Sequence, residues 1–241
     1  MVLRPREEFK IYQRVFDNYT INTLLALKRK KYFDTLDYPI STGKEADVYR
    51  ATGTIEGKKT YLAVKIYRIE TSNFKAMLDY LIGDPLFEGV KKTKRGIIST
   101  WCKKEFKNLT EAFKVKVKVP EPIKAMNNVL IMKLVGDRKG NPSPLLKDLK
   151  TADYDKIIPT VTKYIKVLWT KAKIVHGDIN EFNILMKNNT PYLIDMAQAM
   201  SIKHPMALEL LQRDLRNLKK IAVKHGVEFD YEKVLRSLIR P

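Results

Sequence analysis

Apolar and polar positions change period along the chain, and each change marks an element. Over residues 7–36 Phe9, Tyr12, Phe16 and Tyr19 recur at helical spacing ahead of a basic Lys28–Lys31 cluster, so this stretch reads as helical. Residues 39–70 then read as the first strands of a small twisted sheet. In the run from Leu62 to Tyr67, Leu62, Val64 and Ile66 point one way, and Ala63, Lys65 and Tyr67 the other. Residues 71–98 hold Gly83-Asp-Pro85, Gly89 and a basic Lys91–Arg95 run with little periodicity, which predicts a long loop. A helix follows over about 99–114, with Trp101, Phe106, Leu109 and Phe113 as its apolar positions. Val129, Leu130, Ile131 and Met132 form an unbroken apolar strand leading to a hinge at Lys133–Gly136. Ser143-Pro144 opens a helix over 143–149, and 153–173 reads as one long helix. The last helix, about 205–225, lines up Leu208, Leu211, Leu215, Leu218 and Ala222 on one stripe, with Gly226 suited to its C-cap.

Composition narrows the class. The 241 residues, 44% hydrophobic, suit one compact enzyme better than two independent domains. No apolar run approaches the ~20 residues needed to cross a bilayer. The first residues, Met1-Val-Leu-Arg4-Pro-Arg6, lack the apolar segment of a signal peptide, which predicts a cytoplasmic protein. A single cysteine, Cys102, excludes an intrachain disulfide and a Cys-rich zinc site, and reads as a packed thiol. His176, His204 and His225 show no zinc spacing and read as structural. No coiled-coil seam is evident, which predicts a monomer. Lys and Arg outnumber Asp and Glu by 46 to 27, a formal charge of +19, with clusters at Lys28–Lys31, Lys91–Arg95, Lys114–Lys118 and Lys163–Lys173. That excess favours a polyanionic partner such as RNA through counterion release. The other reading is a lysine-rich surface of the thermophilic kind. No RRM or KH signature is present, so any RNA contact would be electrostatic and shape-led.

Candidate chemistry concentrates in His176-Gly-Asp178-Ile-Asn180-Glu-Phe-Asn183-Ile-Leu185, followed by Leu193-Ile-Asp195. An Asp and an Asn five residues apart, with a second Asp twelve residues beyond the Asn, have the layout of a kinase-type phosphoryl-transfer site. Asp178 faces the attacking hydroxyl or water, while Asn183 and Asp195 hold Mg2+ on the phosphates of ATP. Upstream, the strand presents Ala63 beside Lys65, a small residue to admit adenine and an ammonium to reach phosphates. Glu105 on the following helix is the expected partner of Lys65. The turn Ser41-Thr-Gly43-Lys44-Glu-Ala46 is neither a GxGxxG loop nor a Walker A. With one glycine it offers few backbone donors, and the hydroxyls of Ser41 and Thr42 and the Lys44 ammonium could replace them.

The sequence resembles the RIO atypical protein kinases, specifically their first subfamily and an archaeal member. The resemblance rests on Ser41-Thr-Gly-Lys-Glu-Ala-Asp-Val-Tyr49, Ala63-Val-Lys-Ile-Tyr-Arg68, Trp101-Cys-Lys-Lys-Glu-Phe-Lys-Asn-Leu109, the His176–Leu185 loop and Ile194-Asp-Met-Ala-Gln-Ala199. It implies an α+β bilobal kinase-like fold, with a small antiparallel sheet lobe and a mainly helical lobe trimmed of activation segment and peptide-docking helices. In a single domain 1–241, residues 1–38 would be a helical extension, 39–133 the N-lobe with a flexible loop at 71–98, 134–142 the hinge and 143–241 the C-lobe. It further implies Asp178 as the catalytic Asp, Asn183 and Asp195 as metal ligands, and Lys65 on the phosphates under Glu105. Ser41 and Lys44 would lie over the phosphates. Val48 would join the nucleotide pocket, Met132 would be its gatekeeper, Leu134 would offer backbone groups to adenine and Leu185 would form the floor. Mn2+ could replace Mg2+. The partner implied is a pre-small-ribosomal-subunit particle, rRNA and ribosomal proteins together.

Several departures from ordinary protein kinases leave the reaction open. No Ala-Pro-Glu motif follows Asp195, Met196-Ala197 stands where Phe-Gly would, and Asn180 stands where a phosphoryl-steadying Lys is usual. Phosphorylation of proteins in trans is therefore expected to be inefficient. The first alternative is a self-phosphorylating Ser/Thr kinase, with Thr93, Ser99 or Thr100 as acceptor. The second is an ATPase acting in ribosome maturation, in which family behaviour allows a phospho-aspartate at Asp195. The third is a small-molecule phosphotransferase of the choline or aminoglycoside type, disfavoured by the Ser41–Ala46 turn. A non-enzymatic RNA scaffold fits the complete set of site residues least well.

Overall fold

In a computed structural model, residues 16–84 and 93–239 are described. Pro85, Gly89, Lys91 and Lys92 of the predicted loop, and Phe9 and Tyr12 of the predicted first helix, lie outside them. Helix α1 spans Asn18–Arg29, capped by Asp17, whose Oδ1 accepts the Thr20 N–H at 2.9 Å. The chain turns at Lys31 and enters β1 at Thr35, so the helix is shorter than 7–36 and the sheet begins before residue 39.

Strands β1 (Thr35–Thr42), β2 (Ala46–Ile55) and β3 (Lys58–Tyr67), then β4 (Pro122–Met126) and β5 (Val129–Lys133), form one antiparallel sheet in the order β1-β2-β3-β5-β4. The β2–β3 connection is the two-residue turn Glu56-Gly57, both at positive φ, which suits the right-handed twist of the strands it joins. The alternation in β3 divides the lobe's core. Leu62, Val64 and Ile66 pack with Leu24 and Leu27 of α1 and with Val129 and Ile131. Ala63 and Tyr67 join the larger core on the opposite face. Helix α1 thus contributes Leu24 and Leu27 to the core on this face of the sheet.

Two helices cross the other face. Helix α2 (Phe74–Leu81) buries Met77 and Leu81, which corrects the expectation of a loop throughout 71–98. Met77, Leu78 and Leu81 supply a helical stripe short enough to be hidden among the polar residues around it. Helix α3 (Lys94–Lys114) starts earlier than 99, at an N-cap made by Thr93, and buries Ile97, Ile98, Trp101, Cys102 and Leu109. Phe113 falls off this face and is exposed.

A single 3-10 turn at Leu146–Asp148 replaces the helix expected over 143–149. Helix α4 (Tyr154–Val167) continues through a π turn, Leu168–Ala172, that ends where Lys173 adopts positive φ. Short strands β6 (Ile174–Val175), β7 (Ile184–Lys187), β8 (Thr190–Leu193) and β9 (Met200–Ser201) then fold the catalytic segment into two small antiparallel pairs, β6-β9 and β7-β8. Helix α5 (Ala207–Lys224) buries Leu210, Leu211, Leu215, Leu218 and Ala222. Leu208, expected on that stripe, points to solvent. After Gly226, at positive φ, a helix that the sequence reading did not anticipate, α6 (Tyr231–Ile239), closes the lobe through Leu235 and Leu238. Among the described residues no helix is long and apolar enough to cross a membrane.

Because Leu24 is 1% exposed between α1 and the sheet, Leu24→Ala should destabilise the protein by about 2–5 kcal/mol. Urea unfolding would measure this, and a loss under ~0.5 kcal/mol would show that α1 is not integral to the lobe.

Candidate active site

The site starts from one strand face. Register places Val48 opposite Lys65 and Ala63 opposite Met132, so all four side chains emerge on the face of the sheet that looks into the cleft. Lys65 Nζ donates to Glu105 Oε1 of α3 and to Asp195 Oδ1, each at 3.0 Å. Tyr67, two residues along the same face, donates its hydroxyl to the other Glu105 oxygen. Burial opposes the Lys65 charge, but Asp195 and Glu105 outweigh it and hold the ammonium above its usual value. Desolvation likewise opposes the Asp195 charge, and Lys65 still brings its carboxyl below the ordinary value. Glu105 is pushed up by burial against the pull of Lys65.

On the facing lobe, Asp178 follows Gly177, which is at positive φ. Its carboxylate accepts Asn183 Nδ2 at 2.8 Å and Asn180 Nδ2 at 3.1 Å, and its carbonyl accepts both as well. Burial and then the nearby Asp195 charge raise the Asp178 carboxyl. That shift moves it toward the range in which it accepts a proton usefully. Asn180 therefore orients the Asp178 carboxylate.

Residues unmarked by the sequence reading hold this loop. Asp214 of α5, fully buried, accepts the Gly177 and Ile179 N–H groups at 2.8 and 2.9 Å. Arg213 donates to the Gly177 carbonyl and, at 3.2 Å, to Gln198 and Tyr80. An acid interrupting the Leu211–Leu215–Leu218 stripe was the available signal. His176, lowered to about 4 by burial, is neutral; its Nε2 lies 3.2 Å from the Ile194 carbonyl, and its Nδ1 accepts the Asp178 N–H. It is a strut between the catalytic loop and the strand end that bears Asp195. His204 bonds the Ile82 carbonyl and His225 stacks on Tyr154, both away from the chemistry.

The Ser41–Ala46 hairpin closes through the Gly43 N–H on the Ala46 carbonyl at 3.0 Å. Ser41 and Lys44 are exposed on it, and among the described residues no side-chain bond ties either to the Lys65 cluster. Glu45 enters the electrostatics instead: its carboxyl is raised by burial and by Asp195. Leu185 sits on β7, bridged to Leu145. The hinge differs from expectation at Leu134, whose N–H is already donated to the Tyr61 carbonyl at 3.0 Å because the β3–β5 ladder runs one residue further. That group is not available to adenine. Of the candidate acceptors, Thr100 is 3% exposed with its hydroxyl on the Gly96 carbonyl, which removes it as a surface site. Ser99 is half-buried, and the Thr93 side chain caps α3.

The donor set fits Mg2+. Asn183 commits its nitrogen to Asp178, which leaves an amide oxygen, and Asp195 adds a carboxylate. Among the described residues no group of three or more His, Cys, Asp or Glu could hold a metal ion. Two protein oxygens completed by substrate phosphates are how Mg2+ is ordinarily bound.

A model of the RIO domain matches residues 47–234. The chain is 38% identical to the RIO-type serine/threonine-protein kinase Rio1 of Haloferax volcanii, covering 95% of this chain and 78% of that protein. It is 37% identical to Rio1 of Methanocaldococcus jannaschii, covering 94% and 76%. Among solved structures, the Rio2 kinase from Chaetomium thermophilum is similar at TM-score 0.67 and 23% identity, covering 91% of this chain and 68% of that one. The same kinase is also known as an ADP/Mg2+-phosphoaspartate complex, similar at TM-score 0.65 and 22% identity over 92% of this chain and 66% of that one. At these identities the structural likeness shows the fold alone.

The raised Asp214 carboxyl, at about 7, yields a pH signature. Protonation is favoured in the folded state, so this contribution to stability is full below the unfolded value near 3.8 and is lost as pH rises through about 7. Asp214→Asn should cost ~1–3 kcal/mol at about pH 5, through a backbone N–H left without its acceptor. The gap between wild type and variant should narrow by about pH 8. Urea unfolding at both pH values checks this; a constant gap would mean that Asp214 does not titrate in this window.

Proposed function

The chain belongs to the RIO family of atypical serine/threonine protein kinases, and we propose that its cleft transfers the terminal phosphoryl group of ATP to a Ser or Thr hydroxyl, chiefly its own. The observation that carries this reading is the Glu105–Lys65–Asp195 chain of 3.0 Å contacts facing the Asp178–Asn183 pair across the cleft.

In this reading Val48, Ala63 and Met132 enclose the adenine from the sheet side and Leu185 from below. Lys65 has three N–H donors, two of them on Glu105 and Asp195, so one remains for phosphate oxygens. Ser41 and Lys44 come over the phosphates when nucleotide is bound. Asn183 and Asp195 would hold Mg2+, or Mn2+ in its place, and the ion would supply charge neutralisation to the phosphates. Asp178, fixed by Asn180 and Asn183, takes the hydroxyl proton as the acceptor oxygen bonds to the γ-phosphorus. The bond from that phosphorus to the β–γ bridging oxygen breaks, and ADP leaves with the electron pair. When water is the acceptor the outcome is ATP hydrolysis; transfer to Asp195 instead would give an acyl phosphate.

The fixed position of Asn180 supports weak transfer to other proteins, since no cation stands at that point to steady a loose transition state. The +19 charge supports a nucleic-acid-bearing partner, which we take to be the maturing small ribosomal subunit, met in the cytoplasm by a monomer. Family membership leaves the small-molecule phosphotransferase alternative without support.

Labelled ATP tests this directly. Asp178→Ala should cut turnover by roughly 10²–10⁴-fold while leaving nucleotide affinity nearly unchanged, whereas Asp195→Ala should lower both. Protein-bound label that resists hydroxylamine marks Ser or Thr as acceptor, and label that hydroxylamine releases marks an acyl phosphate. Full turnover by Asp178→Ala would refute the assigned base.

A further inference from the structure

Helix α3 carries four polar side chains on its buried face, Thr100, Lys104, Glu105 and Asn108, and only Glu105 has a part in the chemistry above. Lys104 is 1% exposed and Asn108, one turn on, is 6% exposed. A lysine so enclosed carries a desolvation cost of several kcal/mol unless specific partners compensate it. An apolar residue here would simply have extended the core beside Ile98 and Trp101.

The partners are carbonyls of the turn that follows Asp195. Lys104 Nζ donates to the Ala199 carbonyl, and Asn108 Nδ2 donates to the same carbonyl at 2.7 Å and to that of Met196 at 2.9 Å. The Ala199 N–H closes the turn on Met196 O at 3.2 Å. The Met196 peptide that Asn108 holds follows directly on Asp195. Asp195 itself holds positive φ, a conformation that a non-glycine residue keeps only when its surroundings enforce it. Lys104 also lies 3.6 Å from Asp84, at the end of α2. Burial lowers Lys104 to about 8 against the pull of Asp84, but the amine keeps an N–H for Ala199 in either protonation state.

We propose that Lys104 is a positioning residue: with Asn108 it locks the Met196–Ala199 turn, and that turn fixes the backbone from which the Asp195 carboxylate is aimed at a magnesium–phosphate complex. The inference rests on the reading that the cleft binds ATP with Mg2+. Helix α3 then governs Asp195 by two routes, one through Glu105 and Lys65 and one through the backbone of the turn.

The test reads binding, not turnover. The full chain is titrated with adenylyl imidodiphosphate by calorimetry, once with EDTA and once with saturating Mg2+, and the gain in affinity from the metal is compared across variants. Lys104→Met should lower that gain by roughly 10-fold, as loss of an outer-shell partner typically does, with affinity in EDTA held within about twofold. Lys104→Gln, which keeps a donor for the Ala199 carbonyl, should restore most of the gain. An unchanged gain in folded Lys104→Met overturns the proposal, even if the melting temperature falls, and so does a Gln variant as impaired as the Met variant. Should Lys104→Met fail to fold, Asn108→Ser probes the same turn: a reduced gain supports the assignment, and an unchanged one overturns it. A wild-type protein with no metal-dependent gain would instead refute the Mg–ATP reading itself.

Discussion

The burial of one ammonium group constrains the rest of the molecule. Lys65 sits on a central strand, 9% exposed, and its charge is tolerable only because Glu105 and Asp195 both reach it. Breaking such a pair by removing one partner typically costs about 3–5 kcal/mol. The sheet, α3 and the metal loop therefore cannot adopt independent positions. Glu105 is in turn fixed by Tyr67, which lies two residues from Lys65 on the same strand face, so strand and helix are joined by two bonds and not one. The consequence is a cleft whose charges are placed before any nucleotide arrives, the preorganisation on which electrostatic catalysis depends.

The opposite wall follows a similar logic with backbone groups. A loop that presents Asp178, Asn180 and Asn183 on consecutive turns has few side chains left to anchor itself. Asp214 and Arg213, neighbours on α5, grip Gly177 from its N–H and its carbonyl respectively. His176 links the loop to the end of β8 through Ile194. The Asp178 carboxylate is held in place because α5 and the end of β8 bind the peptide units beside it.

Much of this was legible in the sequence, and the rest was not for identifiable reasons. Asp178, Asn183 and Asp195 announce themselves by local spacing, and Lys65 by its place in a strand of period two. The two-faced core of β3 could be read directly from the alternation of Leu62 to Tyr67. Lys104, Asn108 and Asp214 could not, because each bonds to backbone groups of residues 35 to 95 positions away, and a peptide carbonyl leaves no trace in the side-chain pattern. Helix α2 was hidden by its brevity, since eight residues give barely two turns of periodicity. Of the backbone groups expected of Leu134, the N–H is taken by the Tyr61 carbonyl, because ladder length is a property of the sheet and not of the local pattern. Thr100 stands in the first turn of the helix expected from residue 99, where a hydroxyl is open to solvent; with α3 extended back to Lys94, the Gly96 carbonyl takes that hydroxyl and the side chain is buried.

These contacts also bear on how such a site can be switched. In the segment from Met196 to Met206, β9 pairs with β6 and the Ala199 carbonyl is taken by α3. That leaves little slack for the large loop rearrangements by which an activation segment works. Helix α3 has more leverage. Glu105, Lys104 and Asn108 lie within two turns, so a displacement of α3 loosens its hold on Lys65 and on the turn after Asp195 together. The bonds involved are short and directional, and a shift of one to two ångströms is enough to break them. Helix α2 packs on α3, and its C-terminal end meets α3 through Asp84 and Lys104. A single helix position thus fixes both the Lys65 ammonium and the backbone after Asp195.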